Sequence, residues 1–177
     1  MLGREEMDRE RSMFVMRLAK IAIIAALAAF ALMVAYNNVV DYDSNYQFVR
    51  HVLSMDTTFP DNTLRSRAID NETVWRAAYA LIIATEALTG LLLAFGAFML
   101  LRQLRASAKI FNHVKLWAVA GLTLGFGLWF VGFIVIAGEY FVMWQSNMWN
   151  GQEGAFRFVT MILGALIFVS LPDGELT

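Results

Sequence analysis

The sequence predicts an all-α protein, a four-helix transmembrane bundle with two structured outer loops, the first of which carries a short interfacial helix. Four continuous apolar stretches carry this prediction: residues 21–36, 77–101, 116–137 and 155–171. Each is close to the roughly 20 residues that a helix needs to cross a hydrocarbon core of ~30 Å. Strands of a membrane barrel would instead alternate polar and apolar residues. Hydrophobic residues make up 59% of the chain, more than an ordinary soluble domain contains.

Composition excludes several classes of function. The net charge of -1 argues against a nucleic-acid partner, and the absence of cysteine excludes disulfides, thiolate metal sites, thiol nucleophiles and haem attachment through CxxCH. Neither an HExxH motif nor a pair of carboxylates at catalytic spacing occurs. We therefore expect a protein that is not an enzyme, with no catalytic residues, no metal site and no cofactor.

The first apolar stretch is interpreted as a retained helix and not as a secretory signal. The segment before it is rich in acidic as well as basic residues, and no small-x-small cleavage site follows the apolar run. The expected organisation is a polar tail over residues 1–12, a membrane domain over 13–172 and a short C-terminal tail over 173–177. Within the membrane domain the spans are expected at about 17–38, 75–102, 115–137 and 155–171.

The distribution of Lys and Arg predicts the orientation. Nine of these residues lie in the N-terminal segment and in the connection between the second and third spans, whereas the connection from Gly138 to Gly154 contains none. Since positive charge stays on the cytoplasmic side, both termini and the middle loop are expected in the cytoplasm.

Two outer loops then face the other side, and both are expected to be ordered. In the first, apolar residues recur at helical spacing from Tyr46 to Met55, which predicts a short helix on the membrane or on a partner. Asp70 or Asn71 is expected to cap the second span. The candidate docking residues of the two loops are Phe48, His51, Val52, Trp144 and Trp149.

Glu86 is the candidate site inside the membrane. A charged acid near the bilayer centre costs about 2.5 to 3.5 kcal/mol, so we expect Glu86 to face the bundle and to hydrogen-bond to another helix. Tyr79 and Thr89 share its helix face. Two interpretations remain open: a packing contact between helices, and a proton or cation relay or a contact to a lipid or quinone-like ligand.

Charged residues near the expected outer surface form a second candidate group, Arg76, Glu139 and Arg157. An interfacial salt bridge that closes the outer end of the bundle is the simpler expectation, and an anion or headgroup site is the alternative. Small residues, Gly90, Gly121 and Gly125 among them, are expected at the helix contacts.

Three segments outside the simple hydropathy pattern resemble a known family. They are residues 45–60 (NYQFVRHVLSMDTTFP), 138–146 (GEYFVMWQS) and 149–158 (WNGQEGAFRF), with the Glu86 helix between the first two. The chain is similar over residues 15–172 to the bacterial predicted small integral membrane protein family, domain of unknown function 2165. The resemblance implies a four-span inner-membrane protein and brings no activity with it.

Two functions are consistent with these observations. The first is a non-catalytic accessory or assembly subunit that docks on a larger respiratory or transport complex in the membrane. The alternative is a small carrier or channel, coupled to protons or cations through Glu86. Four spans leave little room for a pathway, so the alternative requires self-association. The expected partners are the lipid bilayer and either a larger membrane complex or further copies of the chain.

Overall fold

The computed structural model describes residues 2–176, and within them it contains helices and no strand. The helices are α1 (Leu2–Val40), α2 (Tyr42–Ser54), α3 (Glu72–Arg102), α4 (Ala108–Val114), α5 (Leu116–Phe126), a π-helical segment (Gly127–Tyr140) and α6 (Gln152–Ser170). Short 3-10 turns lie at Arg65–Arg67 and Met143–Gln145. The predicted all-α fold is confirmed.

Four helical stretches are long and apolar enough to span a membrane: Arg4–Val40, Glu72–Arg102, Ala108–Tyr140 and Gln152–Ser170. They follow the four apolar runs of the sequence, and each is longer than its run. The polar residues that the sequence set apart as a tail are, from Leu2 on, the first turns of α1. At 39 residues α1 is about 58 Å long, so it exceeds the hydrocarbon thickness by about a factor of two.

The second span begins where a capping residue predicts it. The side chain of Asn71 accepts hydrogen bonds from the backbone N–H groups of Thr73 (2.9 Å) and Val74 (3.2 Å). These bonds satisfy two of the N–H groups that have no partner at the start of a helix. Of the two caps that the sequence offered, the structure uses Asn71.

The third span changes its helical winding along its length. It is α-helical from Ala108, with a break at Lys115, and from Gly127 to Tyr140 it is wound as a π-helix. The N–H of Phe141 bonds to the carbonyl of Ile136 (3.0 Å), five residues back, as π winding requires. The sequence predicted an ordinary helix here, because hydropathy alone does not distinguish the two windings.

Close packing at small residues holds the spans together. A Cβ built on Gly90 would lie 2.6 Å from the Leu32 side chain of α1, and one on Gly96 would lie 2.7 Å from the backbone N of Ala118 in α5. A Cβ built on Gly121 of α5 would lie 2.9 Å from the Leu93 side chain of α3. The predicted small-residue contacts are therefore confirmed, and Gly96 is an additional one.

The bundle has two ends that differ in composition. We call the end formed by α2 with residues 55–71 and 141–151 the cap end. The opposite end, formed by Arg17, Lys20, Lys115 and residues 102–107 and 171–176, is the basic end. The main hydrophobic core lies between them, and a separate cluster of buried residues that includes Met55, Phe141 and Met143 forms the centre of the cap.

Candidate functional site

Glu86 lies in the interior of the bundle, with 3% of its surface exposed. It is about 21 Å along α3 from Glu72 and about 24 Å from Arg102, so it is far from both helix ends. The side-chain amide of Asn38 in α1 donates a hydrogen bond of 2.7 Å to its Oε2. The expectation that Glu86 faces the bundle and bonds to another helix is confirmed.

Asn38 uses three of its polar groups to connect three helices. Its Nδ2 donates to Glu86, its Oδ1 accepts a bond from Asn45 of α2 (2.7 Å), and its carbonyl accepts one from the hydroxyl of Tyr79 in α3 (3.0 Å). The chain Glu86–Asn38–Asn45 runs from the buried acid to an exposed residue of the cap. The sequence analysis did not identify Asn38. The signal that could have found it is its position, as an amide side chain at the polar end of the first apolar run.

Thr89 lies one helical turn from Glu86, and its hydroxyl is buried without a hydrogen-bond partner in the described residues. A cavity of about 20 Å³ is lined by both residues and by Trp129 and Ile162. This is room for about one water molecule, but apart from Glu86 and Thr89 the lining is apolar or aromatic. Tyr79 and Glu86 are connected through their hydrogen bonds to Asn38, and Thr89 is buried beside Glu86 without joining that network.

The cap is an ordered structure in which the two loops bind each other. Thr57 donates to the hydroxyl of Ser146 (2.9 Å), the backbone N–H of Phe59 donates to the side chain of Gln145 (3.2 Å), and Arg67 donates to the carbonyl of Tyr140 (3.0 Å). The prediction that the outer loops are ordered against each other is confirmed.

His51 is part of this contact between the loops. Its ring stacks on Trp149 with centroids 4.7 Å apart, and its Nδ1 lies 2.8 Å from Asp56. Phe48 contacts Trp149 edge-on, with centroids 6.3 Å apart. The ring of His51 is thus used in packing between the loops. No group of three or more potential metal ligands occurs in the described part of the chain.

The residues proposed for docking therefore divide into two groups. Val52 is 6% exposed and belongs to the cap interior, which corrects the expectation that it is available to a partner. Phe48, His51 and Trp149 are used mainly in contacts within the cap. Trp144 is 46% exposed and remains a surface residue. The amphipathic pattern of α2 identified a buried face correctly, but that face is covered by the same chain, by α3 at Tyr46 and Val49 and by the second loop at Val52.

The expected salt bridge at the outer end of the bundle is wrong. Arg157 pairs with Glu153, and Arg76 pairs with Glu72 at 2.6 Å, each one turn along its own helix. Glu139 forms no ion pair among residues 4–176. A carboxylate four residues away along a helix is always within reach, whereas a bridge between helices requires a particular rotation of both.

The basic end contains a buried ionic cluster that the sequence analysis missed. Lys20 lies 2.7 Å from the carboxylate of Asp173, and Lys115 pairs with the same oxygen. Both ammonium groups also donate to the carbonyl of Leu171, each at 2.7 Å. All three charged side chains are at most 6% exposed. The sequence analysis used the two lysines only as indicators of orientation and placed Asp173 in a tail.

Arg17 is fully buried beside this cluster and ties the C-terminal segment to the middle loop. Its guanidinium donates to the carbonyls of Leu104 (2.9 Å), Ala106 (2.7 Å) and Gly174 (2.8 Å), and it lies 4.4 Å from the ring centroid of Phe111. Planar, permanently charged arginine suits such a buried site, because several carbonyls can share its fixed set of donors.

Comparison with known proteins identifies one family. The family model described as predicted small integral membrane protein, domain of unknown function 2165, matches residues 16–172. The matched range includes the Glu86 site, the whole cap and Lys20 and Lys115 of the basic end, and it stops one residue before Asp173. No curated protein and no solved structure matches the chain.

Proposed function

The chain belongs to the predicted small integral membrane protein family, and from that premise we propose that it is a non-catalytic accessory or assembly subunit that docks through its cap on a larger membrane complex. The observation that carries the proposal is an exposed pair of aromatic residues on an ordered surface. Phe59 and Trp144 are each 46% exposed and meet edge to face, with centroids 5.9 Å apart. Met148 on the same loop is 78% exposed.

This surface is held in place by the contacts between the loops. The N–H of Phe59 bonds to Gln145, the residue after Trp144, so the two aromatic rings are positioned from both loops. Docking therefore costs little conformational entropy, because the side chains are already ordered. Exposed aromatic residues and methionine are the types enriched in protein interfaces, and solvated loops seldom display them together.

The proposed location is a bacterial inner membrane with both termini in the cytoplasm. The support is the accumulation of Lys and Arg in the N-terminal segment and the middle loop, on the side opposite the cap. A reporter fused after Thr177 tests the orientation. Activity of a reporter that works only outside the inner membrane would contradict it.

Purification from native membranes tests the docking proposal. The protein extracted in mild detergent is expected to migrate with a defined larger complex, and Phe59→Ala combined with Trp144→Ala is expected to weaken this association by about tenfold or more. Trp117→Ala is the matched control, since Trp117 is 40% exposed at the other end of the bundle. Migration of the native protein alone, or an equal loss in the control, would contradict docking through the cap.

One observation favours the second function, a small carrier or channel that uses Glu86. The hydrogen-bonded chain from Glu86 through Asn38 to exposed Asn45 connects the buried acid with the cap surface. Between Glu86 and Arg102 the residues of α3 are apolar or small. Along this helix the hydrogen-bonded chain therefore does not continue from Glu86 toward the basic end. A carrier would therefore need a second copy or a conformational change to complete the path.

Glu86→Gln separates the two functions. The variant keeps the shape of the side chain and an oxygen that accepts from Asn38, but it cannot take up or release a proton. For an accessory subunit it is expected to assemble with the complex as the native protein does. Normal assembly combined with the loss of a measured proton or cation flux would replace the docking proposal with the carrier.

A further inference from the structure

An apolar groove opens in the cap half of the bundle, between α3 and the π-helical segment and directly under α2. Its volume is about 310 Å³, and its lining includes Leu53, Ile82, Thr85, Gly132, Phe133 and Ile136. Thr85 is its one polar side chain, and the Thr85 hydroxyl already donates to the carbonyl of Leu81 (2.7 Å). The groove therefore offers no directed hydrogen bond along its walls and suits a hydrocarbon chain.

The groove exists because α3 and the third span separate toward the cap. Lower in the bundle, Gly96, Gly121 and Gly125 bring the two helices into close contact, and a Cβ added at any of the three would lie 2.7 to 3.1 Å from an atom of the neighbouring helix. At Gly127 nothing lies within 4 Å, and at Gly132 the nearest atom belongs to Leu128 of the same segment, at 3.7 Å. The space begins where the π winding begins.

The position and lining of the groove favour an acyl chain as its occupant. Apart from Thr85, the residues that line it are apolar side chains and glycines. Its main walls belong to two helices that are long and apolar enough to span a membrane, so the opening faces lipid.

A cation, Arg67, is held at the cap end of the π-helical segment by Tyr140, which is next in the chain to a residue that lines the groove. The guanidinium of Arg67 donates to the carbonyl of Tyr140 and lies 4.9 Å from the centroid of the Tyr140 ring. Tyr140 is adjacent to Phe141 and one turn from Ile136, both of which line the groove. No acidic side chain within residues 4–176 forms an ion pair with Arg67. Since one of its five N–H donors is used, the others can bind a phosphate.

We propose that this groove is a binding site for one anionic phospholipid, whose acyl chain lies between α3 and the π-helical segment and whose phosphate is bound by Arg67. The lipid fills the space that the separated helices leave under the cap, and it contacts α2 from below. Phospholipid binding would thus support the surface on which docking is proposed, but the site exists whether or not the chain docks.

Photo-crosslinking in lipid nanodiscs tests the site. The probes are phosphatidylglycerol and phosphatidylcholine, each with a diazirine in the middle of one acyl chain, and the labelled peptides are located by mass spectrometry. Phosphatidylglycerol is expected to label the residues that line the groove about tenfold more than the exposed lipid-facing residues Leu88 and Leu91. Phosphatidylcholine is expected to label the groove less, because its headgroup carries no net charge.

Two variants and one control make the test specific. A Cβ at Gly132 meets nothing closer than 3.7 Å, so Gly132→Leu is expected to fill part of the groove and to lower the labelling about tenfold, whereas Gly164→Leu, with open space around its Cβ position in α6, is expected to leave it unchanged. Arg67→Gln is expected to abolish the preference for phosphatidylglycerol while the acyl chain still labels the groove.

Three results would overturn the proposal. Equal labelling of the groove and of Leu88 and Leu91 would show ordinary boundary lipid. Unchanged labelling in Gly132→Leu would place the acyl chain elsewhere. Crosslinks between two copies of the chain at the groove, lost in Gly132→Leu, would identify a second copy as the occupant.

Discussion

At the basic end of the bundle, Lys20 and Lys115 share the carboxylate of Asp173 inside the protein, whereas in the middle of the bundle the acid Glu86 is held by the side-chain amide of Asn38. Breaking a buried ion pair leaves an unpaired buried charge, which costs about 3 to 5 kcal/mol. Removing one partner of a buried hydrogen bond costs about 1 to 3 kcal/mol. The ionic contact at the basic end is therefore expected to contribute more to stability than the contact of Glu86.

Glycine has opposite effects at different points between α3 and the third span. Gly96 lets the backbone of α5 approach α3, and a Cβ there would lie 2.7 Å from a backbone nitrogen. Gly127 and Gly132 in the π-helical segment face open space of the groove. The cap half is not open at every glycine, because a Cβ on Gly138 of the same segment would lie 2.5 Å from the side chain of Gln152. A small-residue pattern in a membrane helix predicts a close contact only if a neighbouring helix is on that face.

The largest effect is expected for Asp173→Asn. Removal of the carboxylate leaves two buried ammonium groups without a counter-charge, and breaking such a pair typically costs about 3 to 5 kcal/mol. Thermal unfolding of the detergent-solubilised protein measures the loss of stability. Glu175→Gln is the control, because Glu175 is exposed and bonds only to the backbone N–H of Ala108 among the described contacts. Equal stability of the two variants would mean that the cluster at the basic end is not structural.

Gly96→Ala is expected to have the next largest effect. The added methyl group meets backbone atoms of Ala118, which cannot turn away as a side chain can, so α3 and α5 must separate. Overpacking of this kind costs about 1 to 3 kcal/mol. The same unfolding assay compares it with Gly164→Ala, where nothing lies within 4 Å. If both variants gain stability through better helix propensity, the close approach at Gly96 is not required.

Glu86→Leu is expected to destabilise the protein by about 1 to 3 kcal/mol, because the amide of Asn38 loses its buried acceptor. Glu86→Gln keeps an acceptor oxygen and is expected to remain close to the native stability. Unfolding of the two variants side by side tests the contact. A leucine variant as stable as the glutamine variant would show that the hydrogen bond contributes nothing to the fold.

The smallest effect is expected for Trp149→Leu at the cap. The variant loses the stacking on His51 and the edge contact with Phe48, and an aromatic pair contributes about 0.5 to 1.5 kcal/mol beyond its buried area. Limited proteolysis in spheroplasts is expected to cut the loops faster than in the native protein. Met148→Leu should not change the rate, since Met148 on the same loop is 78% exposed. Equal rates in the two variants would mean that the contacts of Trp149 do not hold the cap together.

Part of the fold could be predicted because its cause is local in the chain. A continuous apolar run predicts a span, the amphipathic spacing of residues 46–55 predicts α2, and Asn71 predicts the start of α3. The inward position of Glu86 also follows from one helix, since the cost of exposing an acid to lipid is the same whatever the neighbours are. The family resemblance rests on segments of the same kind, which are recognised without knowledge of their contacts.

The sequence by itself thus determined the spans, the helix in the first loop and the inward face of α3, and the tertiary structure decided which residues meet. Asn38 and Glu86 are 48 residues apart, and Lys20 and Asp173 are 153 apart. Such pairs depend on how each helix is rotated and shifted against its neighbours, which apolar runs in lipid leave undetermined. The groove beside Gly132 has the same origin, since it lies between two helices. Hydropathy predicts which segments span the membrane, whereas the packing between helices determines which of their side chains are in contact.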